Sequence, residues 1–419
     1  MSDQTQMLQK PMRHSFFAPK IMKSALQKFF VEGALVMLLP DGKRLKIGTG
    51  VPTVTAHIHD WKTVWQIIFN ADLHIGEAYM DGRLTFSQGD IYQFLDLCLR
   101  NLGRGKGLWI RRAQQRIRML CRRMMMHNPI AKSQKNVAHH YDLSDQMYEL
   151  FLDDDRQYSC AYYKNTQDSL EQAQAAKKQH IADKLLLESG QKVLDIGCGW
   201  GGLDHFLAKS KDADVTGLTL SKEQLHYAEQ QTEKRGLLER VRFLLKDYRQ
   251  EKGSYDRIVS VGMFEHLGVG YFDQYFTKIN ELLKQDGIAL IHTIGCANPP
   301  SSPHPWIAKY IFPGGYIPSL SEIMPSIERS GLIVTDIEVL RLHYAKTLQH
   351  WRQRFMQNRD KIKAIYDDRF CRMWEFYLAA CEAGFRHSGL VVFQIQLAKK
   401  LDSVPLTRDY LHNKTIEAK

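Results

Sequence analysis

Long apolar runs and a cysteine framework are missing from this chain of 419 residues, and no leader is expected at its start. No apolar run approaches 18 residues, 34–39 being among the longest, so no transmembrane helix is expected. Residues 1–20 are polar and basic without an apolar stretch, which argues against a secretory leader. The seven cysteines are scattered, odd in number and include no C-x-x-C pair. That excludes a disulfide frame and a zinc site, leaves no metal-ligating set, and suits reduced thiols in a cytoplasm. Acidic residues are missing locally: from Leu97 to Tyr141 there is no Asp or Glu, while 11 Lys and Arg fall there. The net charge of the whole chain is +11, so the remainder is balanced and the positive charge is a local device.

What is present is the composition of a soluble globular protein, 44% hydrophobic and 25% charged, long enough for two or three domains. Residues 1–22 read as a tail. A small α+β domain is expected over 23–103. It holds a hairpin (34–39 and 43–48 around Pro40-Asp41-Gly42), a further strand at 54–58, and helices at 62–70, 75–80 and 90–100. Residues 104–133 form the basic linker. Within it Trp109, Ala113, Ile117, Leu120 and Met124 recur at helical spacing on one face. Arg111, Arg112, Arg116, Arg118, Arg122 and Arg123 occupy the opposite arc. A basic amphipathic helix of this kind suits an anionic membrane surface, where each basic residue contributes roughly 1 kcal/mol. A linker helix packed on the core is the plainer alternative. Nucleic acid is a third, for which the segment offers only Trp109 as a stacking platform.

From 134 to 400 strands alternate with helices, which implies a mostly parallel sheet with helices on both faces and a ligand site at the carboxyl ends of the strands. Expected strands are 213–218, 241–245, 256–261, 288–294, 332–340 and 390–397. Expected helices are 201–210, one opened by Ser221-Lys222-Glu223-Gln224 with capping-box spacing, 271–284, 320–330, and two or three within 347–384. Residues 401–419 read as a tail.

The domain is organised around Val193-Leu194-Asp195-Ile196-Gly197-Cys198-Gly199-Trp200-Gly201-Gly202. An apolar strand runs into four glycines within six residues, then into a helix. Such a turn lets backbone approach a ligand, and the amides opening the helix suit an anionic group. Read as G-x-G-x-x-G it would hold a dinucleotide, but that needs an acid closing the next strand, and 213–219 ends in Thr219. Asp195 followed by Gly197, Gly199 and Gly201 instead resembles the first motif of the methyltransferases dependent on S-adenosylmethionine (SAM).

The resemblance narrows with His140-Tyr141-Asp142, Gln157-Tyr158-Ser159-Cys160, Met263-Phe264-Glu265-His266, Ile291-His292-Thr293-Ile294, and the runs 306–315 and 343–348. With the glycine loop these make seven ordered motifs over residues 136–397, and they look like the cyclopropane-fatty-acyl-phospholipid synthases and related mycolic acid methyltransferases. The resemblance implies a Rossmann-like methyltransferase fold preceded by a small α+β lipid-associated domain. It implies transfer of the SAM methyl to a cis double bond of an unsaturated phospholipid acyl chain, with ring closure and bound bicarbonate as base. The bicarbonate ligands would be the backbone at Cys160 and Ile294 and the side chains of Glu265, His292 and Tyr344. Tyr158, Ser159, Asp195, Gly197, Cys198, Gly199 and Gly201 would meet the methionine end of SAM. Thr219 and Gln224 would meet the ribose, and Asp247 and Tyr248 the adenine. Cys381 matches a cysteine proposed elsewhere as a nucleophile; methyl addition to an alkene needs no covalent enzyme intermediate, and a Cys on a helix face is ordinarily core packing. Ala345 stands where some members carry Asp.

The same resemblance implies a cytoplasmic enzyme, peripheral at the inner face of the membrane, and tethering of two catalytic domains to one lipid patch would suit a homodimer. Three other outcomes stay open at this level: a methyl-branched product, a nucleic-acid methyltransferase, and a lipid-binding protein without activity. Against the second, Asn298-Pro299-Pro300-Ser301 ends without the aromatic residue that amino-methylating enzymes carry, and it follows the fifth strand, not the fourth.

Overall fold

The computed structural model describes residues 18–27, 30–102, 118, 119, 122, 126 and 145–411. Most of the expected basic helix and of the expected N-terminal tail, and residues 412–419 of the expected C-terminal tail, therefore lie outside the described residues. Helix α1 (Ala18–Gln27) nevertheless begins inside the segment expected as a tail. At the other end, residues up to 411 are tied to the sheet: Arg408 pairs with Asp336, and the Tyr410 hydroxyl meets the Gln396 amide at 3.2 Å.

The chain divides into two compact units, one formed by Met1–Arg112 with Asp368–Phe376, the other by Ala113–Asp367 with Tyr377–Lys419. In the first, β1 (Gly33–Leu38), β2 (Arg44–Thr49), β3 (Thr53–Ile58) and β4 (Leu84–Gln88) form a sheet of order β2-β1-β3-β4. The expected hairpin is the antiparallel β1–β2 pair, while β1 and β3 run parallel. The two expected helices 62–70 and 75–80 are one, α2 (Trp61–Met80), bent at Asn70 and capped by Asp60, whose side chain accepts from the Thr63 amide. Helix α3 (Ile91–Leu102) buries Phe94, Leu95 and Leu97. Its Asn101 side chain bonds the amides of Val31 and Glu32 and the carbonyls of Glu32 and Leu97, so every buried polar atom of that side chain is matched.

The second unit is built on a seven-stranded sheet of order β10-β11-β9-β8-β5-β6-β7. Its strands are β5 (Lys192–Ile196), β6 (Asp214–Thr219), β7 (Val241–Leu245), β8 (Tyr255–Val261), β9 (Leu283–Cys296), β10 (Ile333–Leu340) and β11 (Leu390–Ala398). Strands β5 to β9 are mutually parallel, whereas β11 lies antiparallel to both β9 and β10. Period-two alternation distributes the side chains between two cores. Leu194, Ile196, Ile258 and Ile291 join one with α8 (Phe272–Leu282) and α10 (Leu320–Ser330). Val193, Val215, Val259 and Leu290 join the other with α5 (Leu170–Lys184), α6 (Gly202–Lys211) and α7 (Lys222–Lys234). The sheet is covered on both faces, which is why its central strands read as near-continuous apolar runs. Helix α4 (Asp145–Glu149) precedes α5 and α9 (Pro305–Tyr310) follows β9; α11 (His343–Gln357), α12 (Arg359–Ile365) and α13 (Asp368–His387) follow β10. No helix among the described residues is long and apolar enough to cross a membrane.

Candidate active site

The glycine loop leaves β5 and folds back on β6: the amides of Gly197 and Cys198 both donate to the Leu218 carbonyl, at 2.9 and 3.0 Å. Gly201 caps α6 with φ +81°, and a Cβ there would stand 2.5 Å from the Phe243 ring. Gly199 also has positive φ, but a Cβ there would meet open space. The loop borders a pocket at the carboxyl ends of β5, β6 and β8. Tyr158, Ser159, Asp195, Gly197, Cys198, Gly199, Thr219, Gln224, Asp247 and Tyr248 all line it. Of the expected cofactor residues Gly201 alone is not in the lining; its part is to turn the backbone.

Polarity in this pocket is pre-arranged. Thr219 donates to Gln224 Oε1 at 2.9 Å, and Ser221 Oγ accepts from the Gln224 amide at 3.2 Å. The Gln224 side chain is thus turned to Thr219, and the capping box expected at Ser221 has only its backbone half. Asp247 is held by the Arg249 amide and guanidinium at 2.6–3.0 Å. Asp195 lies against Asp204 of α6, both fully enclosed. Burial, and at Asp204 also the charge of Asp195, raises these carboxyls above the usual range.

Among the lining residues that sequence reasoning missed, three shape the pocket next to the glycine loop. Lys177 of α5 donates to Gln157 Oε1 at 2.7 Å and Ser159 Oγ at 2.8 Å, and burial pushes its pKa down to about 7. Trp200 packs edge-on against Tyr148 and donates to Asp145. Met263 closes over Gly197. His266, already noted beyond β8, also lines the pocket, with its pKa pushed down to about 4 by burial.

None of the expected catalytic residues belongs to this lining. Glu265 sits in the short turn after β8; its Oε1 accepts from the Ile294 amide at 2.5 Å, and its buried Oε2 has no partner among the described residues. Burial raises its carboxyl to about 7. His292 lies in β9 opposite Gln394 of β11, whose amide donates to Nδ1 at 3.1 Å. The proton therefore resides on Nε2, a buried donor without a partner. Burial, then the charge of Lys177, pushes the His292 pKa down to about 3, so the ring is neutral. The Ala161 amide, next to Cys160, donates to Thr347 Oγ1 at 3.1 Å, one turn along α11 from Tyr344. The Tyr344 ring packs on Trp351 and Phe385, and Trp351 stacks on Tyr158 at 5.1 Å. Tyr158 and Tyr377 share a hydroxyl hydrogen bond of 2.9 Å. Cys381 is one turn from Tyr377 on α13, and burial alone pushes its thiol up to about 12.

One expectation is corrected. Arg122, placed by spacing on the arc facing a membrane, points inward to Glu322 (2.7 Å) and to the Tyr316 hydroxyl (3.1 Å). Glu322, opening α10, is a carboxylate the local spacing cannot reveal.

The family model described as mycolic acid cyclopropane synthetase matches residues 129–395. A Pseudomonas putida protein named probable fatty acid methyltransferase is 34% identical over 389 residues, covering 90% of this chain and 96% of its own. The cyclopropane-fatty-acyl-phospholipid synthase of Escherichia coli K12 is 43% identical over 264 residues, covering 63% of this chain and 68% of its own. The crystal structure of the mycolic acid cyclopropane synthase CmaA1 complexed with SAH and CTAB aligns with a TM-score of 0.61 at 35% identity, covering 65% of this chain and 99% of that one. The chain belongs to the mycolic acid cyclopropane synthetase family and is a SAM-dependent methyltransferase of that family.

Proposed function

We propose that the protein transfers the SAM methyl group to a cis double bond in the acyl chains of membrane phospholipids and closes a cyclopropane ring. The observation that carries this reading is the two unpartnered buried polar atoms, Glu265 Oε2 in the turn after β8 and His292 Nε2 in the neighbouring β9. An acceptor and a donor, both dry and both unused, fit a small oxyanion that carries one proton. Glu265 and His292, with the backbone at Cys160 and Ile294 and the Tyr344 hydroxyl, would hold hydrogencarbonate. When bound, it would supply the base for the proton released on ring closure.

The chain's own residues meet the other demands. An alkene is a weak nucleophile, so stronger nucleophiles near a sulfonium must be silenced. Burial raises the Cys160, Cys198 and Cys381 thiols, which keeps them protonated and unreactive. The lone pair on His292 Nδ1 is occupied by Gln394. Tyr158, Trp351, Tyr344 and Phe385 form a packed aromatic cluster, and a ring face turned to the acyl chain would stabilise a developing carbocation. Phospholipid access calls for peripheral association with an anionic membrane from the cytoplasmic side, and a homodimer would double the contact.

A second reading has its own support: the relative that spans both units is named a fatty acid methyltransferase. The same cation that closes to a ring can instead lose a proton to leave a methyl-branched alkene. Incubation with methyl-labelled SAM and vesicles of unsaturated phospholipid tests both. Label in cyclopropyl acyl chains supports the first reading and label in branched chains the second; no label in lipid overturns both. Removal of dissolved carbon dioxide should suppress turnover and added hydrogencarbonate restore it.

A further inference from the structure

Four cations line the pocket of the glycine loop, and three of them have carboxylates of their own. Arg156 pairs with Asp145 at 3.1 Å and with Glu149, Lys246 with Glu251 at 2.9 Å, and Arg249 with Asp247 at 2.6 Å. The fourth, Lys177, is 1% exposed and bonds only two neutral oxygens, Gln157 Oε1 and Ser159 Oγ. No carboxylate lies within ion-pair distance of it among the described residues; the buried Asp153 acts on it only from farther off and does not offset its burial. Enclosing an ammonium costs several kcal/mol unless an anion answers it, and a neutral side chain would serve Gln157 and Ser159 as well. Position supplies the missing piece. Lys177 reaches Ser159, beside Tyr158, and its charge acts on Asp195 at the end of β5. One end of the pocket thus presents an acidic and a basic group together, the complement of an amino acid's ammonium and carboxylate.

We propose that Lys177 is the anchor for the α-carboxylate of SAM, with Asp195 opposite it for the ammonium. This rests on the reading that the pocket holds SAM. The pairing also answers a chemical hazard. An amine held free of charge beside a sulfonium is itself a methyl acceptor; a carboxylate against Lys177 keeps the proton on Nζ and its lone pair unavailable. The depressed basicity of Lys177 in the empty pocket then rises on binding, so ligand capture and protection come together.

The test compares SAM with decarboxylated SAM, which keeps the sulfonium and the ammonium, by calorimetric titration of the full chain, wild type against Lys177→Met and Lys177→Gln. Wild type should prefer SAM by roughly tenfold or more, as a charge-assisted contact requires. Both variants should bring the ratio to within about threefold by weakening SAM alone. Thermal melting shows that each variant is folded. The inference is overturned if wild type binds both ligands equally, which needs no variant. A ratio preserved in a folded variant overturns it as well, and so do variants that weaken both ligands alike, as a purely structural lysine would. If the ratio is preserved and the variants instead demand more hydrogencarbonate for turnover, the anion at Lys177 is not the SAM carboxylate. Wild type that binds neither SAM nor SAH removes the reading of the pocket itself, a result separate from all of these.

Discussion

Replacing Glu265 with Gln should make the protein more stable, and by an amount that depends on pH. The side chain is 8% exposed and has no cation against it; burial raises its carboxyl from the ordinary 4.5 to about 7. Between those values the folded state holds a proton that the unfolded state has released. Stability then falls as pH rises from about 4.5 through about 7, the direction expected for an acid whose folded pKa is raised. Gln keeps the shape and can still accept from the Ile294 amide, but carries no charge to enclose. The variant should match wild type at pH 4, exceed it by about 1 kcal/mol at pH 5 and about 2 at pH 6, and level off about 3 above it beyond pH 8. Urea denaturation across that range, in buffer freed of carbon dioxide, reads the difference directly, and other titrating groups cancel in the comparison. A gap that stays constant with pH would refute the reasoning, because it would mean that the carboxyl ionises no less easily in the fold than outside it. The same variant should lose turnover, so stability and function trade against each other at this residue.

Further changes follow from other sites. His292→Gln should lower kcat by roughly a hundredfold or more. It should move the SAH dissociation constant by less than about twofold, since His292 is outside the pocket lining; a large loss of SAH affinity counts against this placement. Gly201→Ala forces a side chain into left-handed backbone and against Phe243, at a cost of about 2–4 kcal/mol in urea denaturation. Lys184→Met takes from Glu338 its partner at 2.5 Å and leaves it only the His180 ring at 2.6 Å. Glu338 is about a third exposed, so the loss should be about 2 kcal/mol, below that of a fully enclosed pair. Burial would raise Glu338, but the His180 hydrogen bond and the Lys184 charge outweigh it and bring its pKa down to about 2. The stabilisation is thus present above pH 4.5 and lost as pH falls toward 2, and Lys184→Met should flatten the acid limb of a stability–pH curve.

Legibility in the sequence followed the direction in which side chains point. Strand β7 and helix α10 have the expected bounds, and the other expected strands shift by a few residues, because apolar runs between glycine turns mark a sheet covered on both faces. Helix α5 escaped notice for the opposite reason. Gln174, Lys177, Lys178, His180 and Lys184 are all buried in it, so it has no apolar stripe to find. Lys177 went with it. Gln394 was equally invisible, since a polar residue inside a strand reads as facing water until its neighbour across the sheet is known. The motif resemblance supplied Glu265 and His292, and spacing alone would have left both as a turn residue and a core histidine. Strand β4 was lost because five residues after a tight turn make too short a pattern. The antiparallel course of β11 has no signature in composition at all.

That last strand sets an order of events during synthesis. His292 is translated about a hundred residues before Gln394, the residue that decides which of its ring nitrogens carries hydrogen. Strand β11 must slide between β9 and β10, pairing with each along its length, before that choice is made. A growing polypeptide can thus complete the glycine loop and admit a methyl donor while its histidine is still uncommitted. On the role proposed for His292, turnover waits until β11 has taken its place beside β9.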